Sequence, residues 1–265
     1  SDRAFEEEVM LSGFGNAQVK GEGAGVSFDD AQETYTARYT HETVALAFAI
    51  TEEAIEDNLY DRLSARYTKA LARSMSNAKQ VKAIEPLING LPSTATFKSG
   101  DGVALFSTSH TTVSGPNVAN TLATQADLNE TSLEQSMIDI AKMTDERGLR
   151  IAARGLKMII PSELQFTAER LMKSQGRTGT ADNDINAIVS MGMVPQGYRV
   201  NNYLTDSDAF YILTDIPNGM KMFTRAPLTT AMEGDFDTGN VRYKARERYS
   251  FGVSDPRGIF GVEGA

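Results

Sequence analysis

The stretch from Thr34 to Thr51, TYTARYTHETVALAFAIT, alternates for eighteen residues. Tyr35, Ala37, Tyr39, His41 and Thr43 hold one set of positions, with Thr36, Arg38, Thr40 and Glu42 between them. Val44, Leu46, Phe48 and Ile50 continue the pattern, interleaved with Ala45, Ala47 and Ala49. A period of two sends successive side chains to opposite faces, the signature of a strand. At about 3.3 Å per residue this predicts a strand roughly 60 Å long, against an ordinary length of about 5 to 6 residues.

Thr51 ends the alternation. It is a plausible helix N-cap, and Glu52 and Glu53 would complement the helix dipole in the first turn. Ile55, Leu59, Leu63, Tyr67, Leu71 and Met75 recur every four residues; Ala78, Val81 and Ile84 follow at steps of three. The pattern predicts a helix over 52–85, about 50 Å long, stopped by Pro86. A compact body of 265 residues is only about 45 Å across. A strand and a helix of these lengths therefore predict that something projects, and a projecting apolar strand needs cover. Another copy of the same chain is the economical cover.

The rest of the chain reads as follows. Residues 3–11 place Phe5 and Val9 four apart, which suggests a short amphipathic helix or arm. Gly13, Gly15, Gly21, Gly23 and Gly25 mark a loop, so 13–43 reads as an extended, glycine-tipped hairpin. Val103–Phe106 is a short strand, followed by a polar loop over 107–127. Thr131 to Gly148 is a helix with a capping box, Thr131-x-x-Glu134. Residues 156–160 form a buried strand, and Pro161 and Ser162 open a helix with Gln165 in the capping-box position and Gly176 as its stop. Asp184–Met191 is a further short helix. From Tyr198 the chain turns to strands, ending in a hairpin around DTGN (237–240), the strand NVRYKARERYSFGV and a tail from Ser254. The class is α+β.

Few residues carry chemistry. There is no cysteine, hence no disulfide, thiolate metal site or thiol nucleophile. His41 and His110 have no partners at ligand spacing and read as surface or inter-subunit histidines. GEGAG (21–25) is followed by no helix, so it lacks the context of a phosphate loop. Ser76-x-x-Lys79 lacks the companion motifs of serine acylation. Asp235-x-Asp237-x-Gly239 lacks the calcium loop's closing glutamate and reads as a turn. No acid pair can be singled out, so no catalytic, cofactor-binding or metal-binding residue is assigned. The net charge of -9 argues against a general nucleic-acid binder. No apolar run is long enough to span a bilayer, and the acidic N-terminal residues lack the apolar region of a signal peptide. The composition fits a cytoplasmic protein. Arg242, Lys244, Arg246 and Arg248 do form a stripe on one strand face, with Val241, Tyr243, Ala245, Glu247 and Tyr249 opposite. Three readings fit it: a solvated face, a dock for the acidic surface of another copy, or a contact with nucleic acid.

The order of arm, glycine-tipped hairpin, long helix, α/β insertion and returning strands resembles tailed-phage major capsid proteins of the Hong Kong 97 fold. GDGVALFSTSHTTVSGPNVAN (100–120) and RYSFGVSDPRGIFG (248–261) are similar to segments of that family. The resemblance implies an N-terminal arm (1–12), an E-loop (13–43) lying across a neighbour, a peripheral domain with a spine helix (44–127 and 226–265), and an inserted axial domain (128–225). It further implies self-assembly as pentamers and hexamers into an icosahedral phage head around double-stranded DNA, without sequence-specific contacts. Scaffold, portal and decoration proteins would be further partners, no membrane or cofactor would be involved, and assembly would take place in the host cytoplasm. Lys20, Tyr35, Arg38, Tyr39, Arg242, Lys244, Arg246 and Arg248 are the expected assembly residues. Lys20 lies in the expected E-loop, but the partners for the lysine–asparagine crosslink of some family members cannot be matched. An encapsulin-like compartment shell has the same layout, and a soluble α+β enzyme or binding protein would instead predict a small oligomer with a polar pocket.

Overall fold

The computed structural model describes residues 1–57, 60–176 and 184–265, and of residues 60–63 the backbone only. The chain divides into two compact units, neither of which is continuous in sequence. One comprises Ser1–Glu6, Arg38–Glu85 and Met222–Gly252; the other comprises Glu7–Ala37, Pro86–Lys221 and Val253–Ala265.

The first unit is built on a three-stranded sheet. Its members are β3 (Glu42–Ile50), β8 (Val241–Val253) and β7 (Met220–Gly234), in the order β3-β8-β7. β3 and β8 pair antiparallel, with Glu42 opposite Tyr249 and Ile50 opposite Val241. Helix α2 (Tyr60–Ile88) packs Leu71 and Met75 against Ala245, Val44 and Phe48. Phe48 also stacks on Tyr243 with centroids 5.0 Å apart and meets Tyr67 edge-on at 5.6 Å. The four-residue periodicity thus identified the buried helix face at Tyr67, Leu71 and Met75; Leu59 and the Leu63 side chain lie outside the described residues. Lys79 of α2 ion-pairs with the buried Glu247 of β8 at 2.6 Å, which accounts for the lysine of the Ser76-x-x-Lys79 match.

Several sequence expectations for these elements are corrected. The eighteen-residue strand is two strands, β2 (Glu33–Thr40) and β3, which break at His41 and belong to different sheets. The helix expected over 52–85 begins as a separate short helix, α1 (Glu52–Glu56), capped by Thr51. Nor does Pro86 stop α2, which runs on to Ile88. Proline there removes one ladder bond close to the helix end, and burial of Pro86 and Leu87 offsets the loss. The N-terminal segment is strand β1 (Phe5–Leu11), paired with β2, and not a helix. Its inward positions include Glu8, because Lys221 lies 2.7 Å away and Ser254 donates to the same carboxylate. Phe5 and Val9, the pair that suggested a helix, sit on the exposed side. The hairpin's paired legs are consequently 5–11 and 33–40, and the glycine-rich residues 13–32 form its loop.

The second unit holds a four-stranded sheet in the order β5 (Tyr198–Val200), β4 (Gly155–Ile160), β6 (Phe210–Thr214), β9 (Ile259–Val262). β4 and β5 are parallel; β4–β6 and β6–β9 are antiparallel. Helices α3 (Glu130–Lys142), α4 (Gln165–Lys173) and α5 (Ala187–Ser190) supply Leu133, Ile140, Leu171 and Ile188 to a core with Met158, Ile160, Phe210, Ile212 and Phe260. The segment after Ser254 is therefore no tail. Residues 259–262 are buried throughout, and two-sided burial erases the alternation that would have announced a strand.

The local signals in this unit were partly misread. α3 is capped by Asn129, whose side chain accepts from Ser132 N while Ser132 Oγ accepts from Asn129 N. That box precedes the expected one at Thr131, and α3 ends at Lys142, well before Gly148. α4 is entered through Leu164 without a side-chain cap, since the Ser162 hydroxyl donates to Glu163. Residues 103–106 are no strand: Ala104 makes only an isolated bridge to Lys98. The short helix expected over 184–191 is confined to 187–190.

Candidate assembly surfaces

Both histidines are buried, which corrects the surface reading. His41 is 5% exposed, between Ser250 Oγ at 3.0 Å from Nδ1 and Ser1 Oγ at 2.8 Å from Nε2. Burial, with Arg248 nearby, holds its pKa below the ordinary imidazole value. His110 is 3% exposed and is held by Asp101 at 2.6 Å through Nδ1, with Leu105 O and Asn120 Oδ1 within 3.2 Å of Nε2. Asn120 in turn donates to Leu105, Pro256 and Ile259 carbonyls, so the polar loop is pinned from inside by buried amides. These histidines anchor backbone.

The largest buried ionic group lies beside this loop. Arg257, 5% exposed, grips Asp255 with Nε at 2.9 Å and Nη2 at 3.0 Å, and Nη2 lies 3.1 Å from Glu146 Oε1. Burial pushes the Glu146 pKa up and Arg257 pulls it back only in part. The aspartates of the calcium-like motif are committed to a turn: Asp235 pairs with Arg242 and accepts from Thr238. Gly239 there has φ +67°, a conformation that favours glycine. Among the described residues no group of three or more His, Asp or Glu is arranged to hold a metal ion. Among them, too, no helix is long and apolar enough to cross a membrane.

The structure separates the expected assembly residues into two sets. Tyr39 is 4% exposed and packs edge-on against Phe223, 4.9 Å between centroids. Tyr35 is half-buried, its ring resting where a side chain on Gly100 would be. Both tyrosines serve their own subunit, because the inward face of β2 is covered from within the chain. Lys20 and Arg38 are exposed, Arg38 lying 4.3 Å over the Phe5 ring. Arg242, Lys244 and Arg246 are exposed on the outer face of β8, while Arg248 is half-buried with its Nε unpartnered.

The register of β3 against β8 supplies what the sequence could not. Arg242, Lys244 and Arg246 face Ala49, Ala47 and Ala45. Cross-strand partners share a face, so the cations stand beside a row of methyl groups, all exposed. The loop at 13–32 is exposed along nearly its whole length, with Val19, Val26 and Phe28 at 100%, 68% and 97%. Isolated exposed apolar side chains are ordinary, but three on one loop mark a surface suited to being covered.

A family model described as a phage capsid protein matches residues 33–262. No curated protein matches the chain. Among solved structures the chain is similar to the capsid of the Myoviridae phage XM1, with TM-score 0.58 and 13% identity over 99% of this chain and 86% of that one. It is also similar to the capsid of an empty GTA particle, with TM-score 0.61, 12% identity and coverage of 100% and 86%. A virus-like particle from Pyrococcus furiosus gives TM-score 0.55 at 11% identity, over 99% and 88%. At such identities these likenesses establish a shared fold.

Proposed function

The chain belongs to the phage capsid protein family, a structural and non-enzymatic role in the phage head, and on that premise we propose that it gathers as pentamers and hexamers into an icosahedral shell around double-stranded DNA. In this reading the hairpin of β1 and β2 is the E-loop, reaching over a neighbour. α2 and the β3-β8-β7 sheet form the peripheral domain of a Hong Kong 97 subunit, and residues 128–225 form the axial domain. Lys20, Arg38 and the cations of β8 belong to the assembly surface. Shell formation takes place in the host cytoplasm, with scaffold, portal and decoration proteins as further partners.

The observation that carries this reading is a loop with Val19, Val26 and Phe28 turned to solvent in a chain that the family model spans from 33 to 262. Light scattering behind size exclusion, with negative-stain images of the same fractions, tests it. Megadalton particles, or hexamers and pentamers that close into shells, are expected. A monodisperse monomer or dimer in the presence of its co-expressed head proteins would overturn it. Nuclease-protected DNA inside the particles separates a phage head from a compartment that holds protein cargo. Deleting residues 16–32 is expected to leave a folded subunit that closes no shells.

A further inference from the structure

Charge is divided unevenly along this chain. Of 26 basic and 35 acidic residues, the unit holding the β3-β8-β7 sheet has 13 of each, which leaves 13 and 22 to the other. The whole surplus of negative charge therefore lies on the unit that carries the 13–32 loop. Within that unit, residues 22–33 (EGAGVSFDDAQE) contain four acids and no base.

The loop has two distinguishable sides. Gly15 N donates to Asp29 Oδ2 at 2.6 Å, and Arg147 Nη2 lies 3.5 Å from Asp29 Oδ1 and donates to the Asp30 carbonyl at 2.5 Å. Asp29 is thus tied to its own subunit. Residues 26–30 have neither helix nor turn, and an extended chain turns alternate side chains to opposite sides. Val26, Phe28 and the Asp30 carboxylate consequently fall on the side away from Asp29, in solvent.

The outer face of β3-β8-β7 has the matching layout. Lys244 and Arg246 make no ion pair among the described residues, whereas Arg242 is already engaged by Asp235. Beside them Ala45, Ala47 and Ala49 leave a shallow apolar row. Alternate residues repeat every 6 to 7 Å or so on any strand, so an extended segment lying along this face keeps step with both rows. We propose that residues 26–30 of one copy lie along this face of a second copy, with Val26 and Phe28 on the alanine row and Asp30 on Lys244 and Arg246. The proposal rests on the shell reading above and adds which face receives the loop and by what chemistry. Apolar contact and charge act together here: the methyl row accepts the aromatic side chain, and the cations fix register and reject a shifted alignment.

The test mixes ordinary and nitrogen-15-labelled copies, assembles them, and treats the particles with a carbodiimide, which joins an amine directly to a nearby carboxylate. Mass spectrometry is expected to find mixed-isotope links from Lys244 to Asp30 or its neighbours in 22–33. Lys244→Glu with Arg246→Glu is expected to lower the assembled fraction at least tenfold with unchanged circular dichroism, and adding Asp30→Lys to restore most of it. Particles without such links overturn the docking and leave the shell reading standing. Links between copies that never close into particles uphold the docking and overturn the shell. Lys244 that becomes reactive only after nuclease treatment would assign this face to DNA and overturn the proposal.

Discussion

Arg257 serves two buried carboxylates at once: its Nη2 is 3.1 Å from Glu146 Oε1 while the same guanidinium holds Asp255 in a two-point grip. One cation between two anions leaves a surplus negative charge out of water. Glu146 Oε2 has no hydrogen-bond partner among the described residues, so Glu146 carries most of that cost. The resulting imbalance makes stability in this unit depend on pH.

Burial raises the Glu146 pKa above its unfolded value. The folded state then binds a proton more readily than the unfolded one. Its contribution to stability is fully present below the unfolded pKa, near 4.5, and is lost as pH rises through the higher folded value. Glu146→Gln removes that loss. Urea unfolding should show the variant gaining on the wild type at pH 8 and losing that advantage at pH 4.

Removing the shared cation should act in the opposite direction and more strongly. Arg257→Met leaves Asp255 and Glu146 buried without compensation, a change that typically costs about 3 to 5 kcal/mol. Arg257→Lys should recover little, because a single ammonium cannot reproduce the two-point grip on Asp255. Chemical denaturation of both variants at neutral pH checks this.

His41 should give the reverse pH slope in its own unit. Its pKa is depressed by burial, so the folded state prefers the neutral ring. Stability is intact above the unfolded value near 6.5 and falls as pH drops through the window toward the folded value. A proton NMR titration of the ring should give a midpoint below 6.5, and His41→Gln should flatten the loss of stability between pH 7 and 5.

Gly258 should tolerate no side chain. A Cβ there would sit 2.3 Å from Gly219 Cα and 2.9 Å from Gly219 N, backbone atoms that cannot swing aside. Overpacking of this kind costs about 1 to 3 kcal/mol. Gly258→Ala should lower the melting temperature by several degrees, whereas Gly25→Ala, with nothing within 4 Å of the added carbon, should leave it nearly unchanged.

Local chemistry was legible wherever one short segment decides its own structure. The alternation of 34–50 gave two real strands, and the four-residue spacing of Tyr67, Leu71 and Met75 gave the buried helix face. The DTGN turn and the single-face stripe of cations were equally plain, since a tight turn and a side-chain period depend only on neighbours in sequence. The resemblance in two short segments led to the family that the match over 33–262 establishes.

What the sequence could not decide was partnership. Whether eighteen alternating residues form one strand or two depends on which strands pair with them, and here β1 takes β2 while β8 takes β3. Whether EEEVML is helix or strand depended on Lys221, more than two hundred residues away, which makes an inward glutamate tolerable. Phe260 reads as part of a tail until β6 and the helices of its unit bury it. The histidines were misjudged for the same reason: exposure is a property of what packs against a residue. Sequence alone therefore determined this chain's periods, turns and charge pattern, because those are set within a few residues. Tertiary structure decided burial, strand pairing and which faces stay open for another copy, because those arise only between distant segments.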